Sequence, residues 1–395
     1  MLKRGLEKNI TKIYALDISS SFILVGPIIV LYMQERGLSF QEIMLLQSIF
    51  AFATFTLEVP TGYISDMLGR KKTLIIAQTI MVLSHLTYTF STNFWHFLVG
   101  ELLFALYFAL ISGTIDALIY DTLILLNKEH EYKKIKGNIH FFSFLAAATG
   151  AVVGSFLTPF GLKFVFLINT INLIITPLIA LVLIEPDISK KEFAKSSLKD
   201  VIKAAKKTFF NGSNLKWVVL FSSVVYIFNQ SVFWFYQPYL KLSGVDLVYF
   251  GIIFASFQII AAISSKFAYK IEARLNLIGS FILIALFTGG SLILMGLVVM
   301  PFSFIFIYMQ QFVRAVKTII VSDAINKQSS STFRATMLSV SSFLDKLLIA
   351  ILMPILGYLE GVFSIKTTLI IMGVLSLILS FSIIYLLKKH TTLKD

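Results

Sequence analysis

The sequence predicts an all-α membrane protein with twelve transmembrane helices, and three observations lead to that prediction. Hydrophobic residues make up 57% of the 395 positions and charged residues only 14%, whereas soluble domains are about half apolar and a quarter charged. Apolar runs of roughly the 20 residues that a helix needs to cross the hydrocarbon core recur throughout the chain. Lysine and arginine are concentrated in alternate connections between these runs, which is the pattern of cytoplasmic loops.

Each predicted span is an apolar run that ends at polar or turn-forming residues. The first six runs belong to a predicted N-terminal bundle, residues 1–184, and occupy 11–34, 40–64, 73–92, 95–125, 139–158 and 162–184. The other six belong to a predicted C-terminal bundle, residues 215–395, and occupy 215–240, 246–268, 275–298, 301–324, 335–358 and 365–388. Pro301 marks the division between the ninth and tenth spans, because proline rarely continues a helix.

Residues 185–214 form the one long connection and separate the two bundles. Within it, Leu198, Val201, Ile202 and Ala205 recur at helical spacing, with lysines at positions between them. This pattern predicts a basic amphipathic helix that lies on the anionic lipids of the inner leaflet. A solvated linker with some helical content is the alternative, and the sequence leaves both interpretations open.

The distribution of positive charge also predicts the orientation. Of the 34 Lys and Arg residues, only Arg36, Lys163, Lys241 and Lys366 fall in connections that face outward if the N-terminus is cytoplasmic. The positive-inside rule therefore places both termini in the cytoplasm and the chain in the cell membrane. The net charge of +13 then belongs to cytoplasmic loops, so nucleic acid is not an expected partner. No small-residue cleavage site follows the first apolar run, which indicates an uncleaved span.

The most specific motif lies between the second and third spans, at residues 62–72, which read Gly-Tyr-Ile-Ser-Asp-Met-Leu-Gly-Arg-Lys-Lys. They fit the pattern G-x-x-x-D-x-x-G-R-[KR]-[KR] at every fixed position, namely Gly62, Asp66, Gly69, Arg70, Lys71 and Lys72. This loop resembles the signature of the major facilitator superfamily, whose members transport solutes. The resemblance implies two parallel six-helix halves with pseudo-two-fold symmetry and substrate bound between them. A weak internal repeat around Asp121 and Asp323, at the ends of the fourth and tenth spans, agrees with two halves.

The resemblance also implies roles at an inner gate. In the family, the signature Asp, here Asp66, lies against the start of the eleventh helix, which in this chain is the segment around Arg334. The signature Arg, here Arg70, would pair with a carboxylate at the inner end of the fourth span, where Asp121 stands. The run 58–62, Glu-Val-Pro-Thr-Gly, is similar to the sequence that precedes the signature in a bacterial efflux-like subgroup.

The chain departs from the pattern of drug antiporters in two places. Their fourth span often carries L-x-x-R-x-x-Q-G-x-x-x-A, but Ala109 and Ser112 stand here at the Arg and Gln positions. In those antiporters the Arg serves proton coupling, so its replacement here argues against the usual mechanism of proton antiport. The glycine run of the fifth span is reduced to Gly150 and Gly154, whose spacing predicts a close helix-packing pair.

Ionisable side chains within spans are costly in a membrane and usually face a cavity or a partner. Asp17, Glu58 and Asp116 are the candidates for proton coupling, because a desolvated carboxyl group can take up and release a proton near neutral pH. His85 is interpreted as a hydrogen-bonded structural histidine rather than as a proton relay.

The C-terminal half places Arg314, Lys317 and Asp345 at a depth similar to that of the N-terminal carboxylates, and these are the candidate inter-half charge partners. One interpretation is a static network that holds the bundle together. The other, which the cost of such charges favours, is an inner gate whose ion pairs break on protonation or on substrate binding.

The seventh span is rich in amides and aromatic rings. Tyr226, Phe228, Asn229 and Gln230 lie deep in it and are the candidates for lining a substrate cavity, since amides avoid lipid and aromatic faces suit amphipathic or cationic ligands. The aromatic residues at 234–239 are better explained as an interfacial belt.

These features predict a secondary active transporter that moves a small organic solute by alternating access and exports it with proton coupling. A proton-coupled importer or a facilitator is the alternative within transport, and a non-transporting membrane sensor is the alternative outside it. The sequence has no cysteine and contains no nucleotide loop, metal-ligand cluster or protease motif. We therefore expect no cofactor, no metal and no enzymatic activity, and a monomer whose partners are its substrate, protons and anionic lipids.

Overall fold

The structure is a computed structural model that describes residues 2–186, 215–328 and 331–392. Within those ranges every regular element is an α-helix or a short 3-10 helix, and there is no β-strand. Ten helical segments of the described chain are long and apolar enough to cross a membrane. The predicted all-helical class is thus confirmed. Residues 187–214, which make up most of the predicted linker, lie outside the described residues, and so does the amphipathic helix expected there.

The chain divides into two compact units, one formed by Met1–Glu192 with Asp246–Ala255 and the other by Phe193–Val245 with Ser256–Asp395. The first part of the chain contains α1 (Leu2–Ser21), α2 (Ile29–Glu35), α3 (Phe40–Leu68), α4 (Arg70–Phe90), α5 (Phe94–Ile111), α6 (Thr114–Leu126), α7 (Tyr132–Phe156), α8 (Leu162–Leu173) and α9 (Ile175–Leu181). The remainder contains α10 (Leu215–Leu242), α11 (Leu247–Leu297), α12 (Ile305–Gln328), α13 (Ser331–Val362) and α14 (Ile365–Thr392).

Two predicted spans of the first unit are interrupted. Residues 22–28 between α1 and α2 are not helical, and they include Gly26 and Pro27, a residue without an N–H to continue the helix. Between α5 and α6, Gly113 adopts a φ of 74°, a left-handed conformation that glycine tolerates without strain. The run predicted at 95–125 is one candidate span, Phe94–Leu126, and the breaks interrupt the helix inside the runs 11–34 and 95–125 although both runs remain apolar there.

Two further irregularities involve a proline and an asparagine. Pro177 cannot donate to the carbonyl oxygen of Leu173, which accepts a hydrogen bond from the Thr176 hydroxyl at 2.9 Å instead; here α8 passes into α9. Asn276 has φ 54° and ψ −176° inside α11. This residue divides α11 into two helical stretches at the point where the sequence predicts the boundary between its eighth and ninth spans.

The signature motif is not the loop that the sequence predicts. Helix α3 begins at a capping box formed by Ser39 and Glu42 and continues as far as Leu68. Gly69, with φ 88°, is the single residue between α3 and α4. The polar residues of the motif extend the two helices beyond the apolar runs and do not form a loop.

The irregular segment 22–28 is held by helices α7 and α8. The Leu24 N–H donates to the side-chain oxygen of Asn169 at 2.8 Å, and the carbonyl oxygen of Phe22 accepts from the Asn172 amide at 3.1 Å. These bonds satisfy backbone groups that a broken helix leaves without partners. A Cβ added at Gly154 would lie 1.9 Å from the Leu24 carbonyl oxygen, so the close packing predicted for this glycine exists, and its partner is an irregular segment.

Each unit buries an apolar core of its own. In the first unit, Leu16, Leu74 and Leu118 bring α1, α4 and α6 together and are fully buried. In the second unit, Phe221 stacks on Phe281 with ring centroids 4.0 Å apart, which joins α10 to α11. These cores fix the helices that carry the charged side chains described below.

Candidate functional site

The helix junction at Gly69 brings together the charged residues of the signature. Nη1 of Arg70 donates to Oδ1 of Asp66 at 2.8 Å and to Oγ of Ser65 at 3.1 Å. Its Nε lies 3.9 Å from Oδ2 of Asp121. The side chains of Arg70 and Asp121 are 23% and 20% exposed, so this cluster is partly shielded from solvent and links α3, α4 and α6 more firmly than a surface ion pair would.

Glu185, the first residue of the predicted linker, completes this junction. The two carboxylate oxygens of Glu185 accept hydrogen bonds from the backbone N–H groups of Arg70 at 2.7 Å and Lys71 at 2.6 Å. A helix leaves its first N–H groups unsatisfied, and a carboxylate there is also favoured by the helix dipole. A Cβ at Gly69 would lie 2.9 Å from Oε1 of Glu185. Glycine is thus required at this position both for its positive φ and for the approach of the carboxylate.

The other signature residues contribute less to this geometry. A Cβ at Gly62 would meet no atom within 4 Å among the described residues, so packing does not explain glycine at that position. Lys72 is exposed. The side chain of Arg334 lies outside the described part of the structure, so the predicted contact of Asp66 with the start of the eleventh span has no description here.

Two of the three proton-coupling candidates contact one face of α7. Lys136 forms an ion pair with Asp116 of α6, and the hydroxyl of Ser143 donates to Asp17 of α1. Positions 136 and 143 are two helical turns apart and therefore share a face of α7. One helix, α7, thus contacts both carboxylates. The sequence predicts partners for them in the other half of the chain. Glu58, the third candidate, lies exposed on α3.

The same unit contains two further ionisable groups. Glu101 on α5 is 2% exposed and accepts a hydrogen bond from the side-chain amide of Gln47 on α3 at 2.7 Å. His85 is also buried, and its Nδ1 donates to the carbonyl oxygen of Met81 on the same helix at 3.0 Å. Both hydrogen bonds satisfy buried polar atoms, and the bond between Gln47 and Glu101 joins α3 to α5.

The charged residues of the second unit surround the contact between α10, α12 and α13. Nη2 of Arg314 donates to Oε1 of Gln258 at 3.0 Å. Nζ of Lys317 lies 4.9 Å from the ring centroid of Tyr226 and donates to the carbonyl oxygen of Ser222 at 3.3 Å. The ammonium group is therefore held against an aromatic face, an arrangement that stabilises a cation.

A cavity of about 260 Å³ opens beside these residues. Its charged and aromatic lining consists of Tyr226, Lys317, Asp345 and Lys346, and five serine or threonine side chains add hydroxyl groups. The other three predicted cavity residues do not line it: Phe228 is buried, Asn229 donates to the side chain and backbone of Gln310, and Gln230 lies elsewhere on α10.

Comparison with known proteins decides the family. Residues 13–342 match the family model for the Major Facilitator Superfamily, a range that contains the signature junction, both α7 contacts and most of the cavity. The chain belongs to the Major Facilitator Superfamily.

Similar proteins agree with that assignment. The MFS-type transporter YxaM of Bacillus subtilis (strain 168) is 21% identical over 366 residues, which are 90% of each chain. Among solved structures, a mutant of the nucleoside transporter NupG superposes with a TM-score of 0.80 at 17% identity and covers 95% of this chain and 98% of its own. A bacterial homologue of the human lysosomal transporter Spinster gives 0.71 at 15% identity, covering 98% and 97%. At these identities the structural likeness establishes the fold.

This member of the Major Facilitator Superfamily is therefore a multi-pass membrane transporter and not an enzyme. In the part of the chain that the structure describes, no group of three or more acidic, histidine or cysteine side chains could hold a metal ion. The chemistry that the site offers is the making and breaking of ion pairs and hydrogen bonds between helices.

Removing the carboxylate of Glu185 tests its role in this transporter. We expect Glu185→Ala to expose the N–H groups of Arg70 and Lys71 and to destabilise the start of α4 by about 1–2 kcal/mol, as loss of a helix cap does. Hydrogen–deuterium exchange of the purified protein should show faster exchange at residues 70–72. Glu129→Ala, which removes an exposed glutamate, is the matched control. Equal exchange in both variants would contradict the capping role.

Proposed function

We propose that the chain is a secondary active transporter that exports a small organic solute across the cell membrane by alternating access, driven by protons. The observation that carries the coupling is the shared contact of Asp17 and Asp116 with α7. An ionised Asp116 holds Lys136, whereas a protonated one has no charge with which to hold it. Protonation at Asp116 would thus loosen α6 from the face of α7 that also contacts Asp17, which makes the packing of α7 sensitive to proton binding.

The proposal includes twelve spans in two halves with pseudo-two-fold symmetry and with both termini in the cytoplasm. Ten described segments have the length and composition of spans. Counting α1 with α2 as one more span, and α11 as two because of Asn276, supports a total of twelve. Repeated ionic contacts support two related halves: Arg70 lies near Asp121 at the end of the fourth predicted span, and Lys327 pairs with Asp323 at the end of the tenth.

The junction around Gly69 supports the proposal of an inner gate. Charge-assisted hydrogen bonds, which are stronger than neutral ones, join Arg70 to Asp66 and the start of α4 to Glu185, and an ion pair at 3.9 Å joins Arg70 to Asp121 of α6. A gate needs such a rigid body against which other helices can move. Export is supported by the resemblance of residues 58–62 to an efflux-like subgroup. Import is the outcome that the transport assay would reveal instead.

The purified protein in liposomes with an imposed pH gradient tests this function. We expect gradient-driven accumulation of at least one solute from a panel of tetraphenylphosphonium, glucose, dialanine and glycerate. Asp17→Asn should lose that accumulation and retain passive exchange, because the neutral side chain still accepts from Ser143 and no longer titrates. Glu129→Gln is the control and should behave as wild type.

Three results would count against the proposal. Accumulation by Asp17→Asn at the wild-type level would remove Asp17 from the coupling. Transport that ignores the gradient in every variant would make the protein a facilitator. Accumulation under the opposite gradient polarity would assign import.

A further inference from the structure

Arg314 carries a permanent positive charge in the middle of a membrane span. It is the tenth of the 24 residues of α12, which belongs to the candidate span Pro301–Ile325. The side chain is exposed, so the residues around it do not cover it. A guanidinium group in contact with hydrocarbon is costly, and arginines inside spans therefore face a water-filled cavity or a charged partner.

The partners described for the Arg314 side chain in its own unit are neutral. Nη2 of Arg314 donates to Oε1 of Gln258 on α11 at 3.0 Å. The other side chain that interacts with the guanidinium group is the Tyr236 phenol on α10. Neither supplies a negative charge, so the exposed side of Arg314 is best explained by a cavity that water or a solute can enter.

The other two cations of α12 have acidic partners. Asp345 attracts Lys317, and Lys327 forms an ion pair with Asp323. Among the described residues of the second unit, no carboxylate does the same for Arg314. Arg314 therefore offers a positive charge that a ligand can offset.

Gln258 adds a second donor group beside that charge. Arg314 has hydrogen-bond donors only, so their contact fixes the oxygen of the Gln258 amide on the arginine and leaves its Nε2 group for other partners. Gln258 is only partly buried, so a ligand can approach it. The guanidinium and amide groups together present donors and one positive charge, which is the complement of an oxyanion.

A buried pair next to Arg314 also has a donor without an acceptor. Gln311, which shares a face of α12 with Arg314, donates to the Tyr236 hydroxyl at 3.4 Å, and its Oε1 is buried without a donor from any described residue. Rotating the amide would exchange its oxygen and nitrogen and leave its N–H groups without an acceptor instead of the Tyr236 hydroxyl hydrogen. Both residues are buried, so a ligand meets Arg314 and Gln258 first.

We propose that Arg314 and Gln258 bind the anionic group of a small organic monocarboxylate, and that this class is the transported solute. A carboxylate is planar, its two oxygens match the fork of a guanidinium group, and its single charge offsets the one that the cluster offers. In transporters built from two halves the substrate lies at their interface, so this contact accounts for the carboxylate and leaves the rest of the solute to other residues. The second part of the inference rests on the proposed transport function.

Binding is measured on the full chain, purified in neutral detergent at neutral pH, by isothermal titration and by ligand-dependent thermal stability. Each probe acid is paired with the uncharged amide of the same shape: benzoate with benzamide, nicotinate with nicotinamide, and lactate with lactamide. We expect at least one acid to bind, and its amide to bind about tenfold more weakly or less, since the charged contact is lost. Equal binding of acid and amide, or binding by none of the three acids, would overturn the inference.

Variants of the two contact residues assign this binding to the cluster. Arg314→Gln should weaken binding of the acid by about tenfold or more and leave the amide unchanged. Gln258→Glu should have an effect at least as large, because the new carboxylate would occupy Arg314 in place of the ligand. Arg274→Gln is the matched control, because Arg274 is an exposed arginine on α11, the helix of Gln258.

A third variant keeps the test valid if Arg314→Gln does not fold. Arg314→Lys preserves the charge and removes the fork, so it should bind the acid more weakly than wild type and more tightly than Gln258→Glu. Unchanged affinity for the acid in every folded variant of Arg314 and Gln258 would exclude this cluster as the binding site.

Transport and lipid arms separate the remaining possibilities. Equal loss of transport for charged and neutral solutes in Arg314→Gln, with acid binding unchanged, would make Arg314 a gate residue and overturn the inference. Stabilisation by phosphatidylglycerol nanodiscs that depends on Arg314, without binding of any acid, would assign the contact to a lipid phosphodiester, which is also a monoanion, and overturn the solute class.

Two other outcomes distinguish this inference from the proposed function. Acid binding that depends on Arg314, without transport in liposomes, would support the anion contact and contradict the proposed function. Gradient-driven transport of a neutral solute by a protein that binds no acid would support the proposed function and overturn this inference.

Discussion

Asp116→Asn is expected to abolish proton-driven accumulation while leaving the folded protein intact. The substitution removes the negative charge that holds Lys136, so α6 and α7 lose their ion pair whatever the pH. Because Asp116 and Lys136 are partly shielded, the lone lysine charge is left with poorer compensation than in the wild type. Accumulation in liposomes under a pH gradient should fall by about tenfold or more, and passive exchange of the same solute should continue.

The partner variants show whether the effect belongs to the pair. Lys136→Gln should impair accumulation as well, and the double variant should be impaired no more than either single one, since neither charge is then left without its partner. Lys134→Gln, two residues away and exposed on the same helix, is the control and should have little effect. Normal accumulation by Asp116→Asn, or strictly additive losses in the double variant, would show that this pair does not couple protons to transport.

The membrane class and the importance of the Gly69 junction could be predicted from sequence because each depends on local information. Apolar runs of spanning length identify helices, and the signature residues identified Arg70 and Asp121 as neighbours. The structure places them 3.9 Å apart. The same local reasoning fails where the composition of a segment does not determine its backbone conformation. Gly113 breaks a helix inside an apolar run, and the polar residues 62–68 remain helical.

The partners of Asp17 and Asp116 could not be predicted, because they lie on another helix, 126 and 20 residues away in the sequence. Lys136 was assigned to a cytoplasmic connection, since the apolar run begins near residue 139. Helix α7 begins earlier, at Tyr132, so this lysine projects from a helix and reaches Asp116. One available signal was the seven-residue spacing between Lys136 and Ser143, which places two polar side chains on one face of a helix.

Glu185 illustrates a different limit. It caps α4 across a separation of 115 residues, and no rule of local sequence connects the two positions. The start of α4 does offer one signal in the sequence, because the residue before it is a glycine, which has no side-chain oxygen to cap the helix. Such a helix needs an acceptor from elsewhere in the fold.

The cavity beside Lys317 is a similar case. The sequence predicts Tyr226 as a cavity residue, whereas the contact of its ring with the Lys317 ammonium group results from tertiary packing.

Gly154→Ala is expected to cause the largest loss of stability of any single substitution proposed for this chain. The added Cβ would lie 1.9 Å from the carbonyl oxygen of Leu24 and 2.9 Å from its Cα, and both atoms are backbone that cannot rotate away. Either α7 or the segment 22–28 must shift. Overpacking of this kind costs about 1–3 kcal/mol and sometimes more, and the shift would also strain the bond from Leu24 to Asn169.

A shift of α7 would also disturb the proposed coupling site, because Ser143 and Lys136 of α7 contact Asp17 and Asp116. We expect a lower midpoint of thermal unfolding in detergent, and weaker proton-driven accumulation by the protein that does fold. Gly137→Ala is the matched control on the same helix, since a Cβ there meets no described atom within 4 Å, and alanine is the better helix former. That control should be as stable as wild type or slightly more so. Equal midpoints for the two variants would show that α7 can move away from residues 22–28 at little cost, and the rigid connection between α7 and the first span would have to be abandoned.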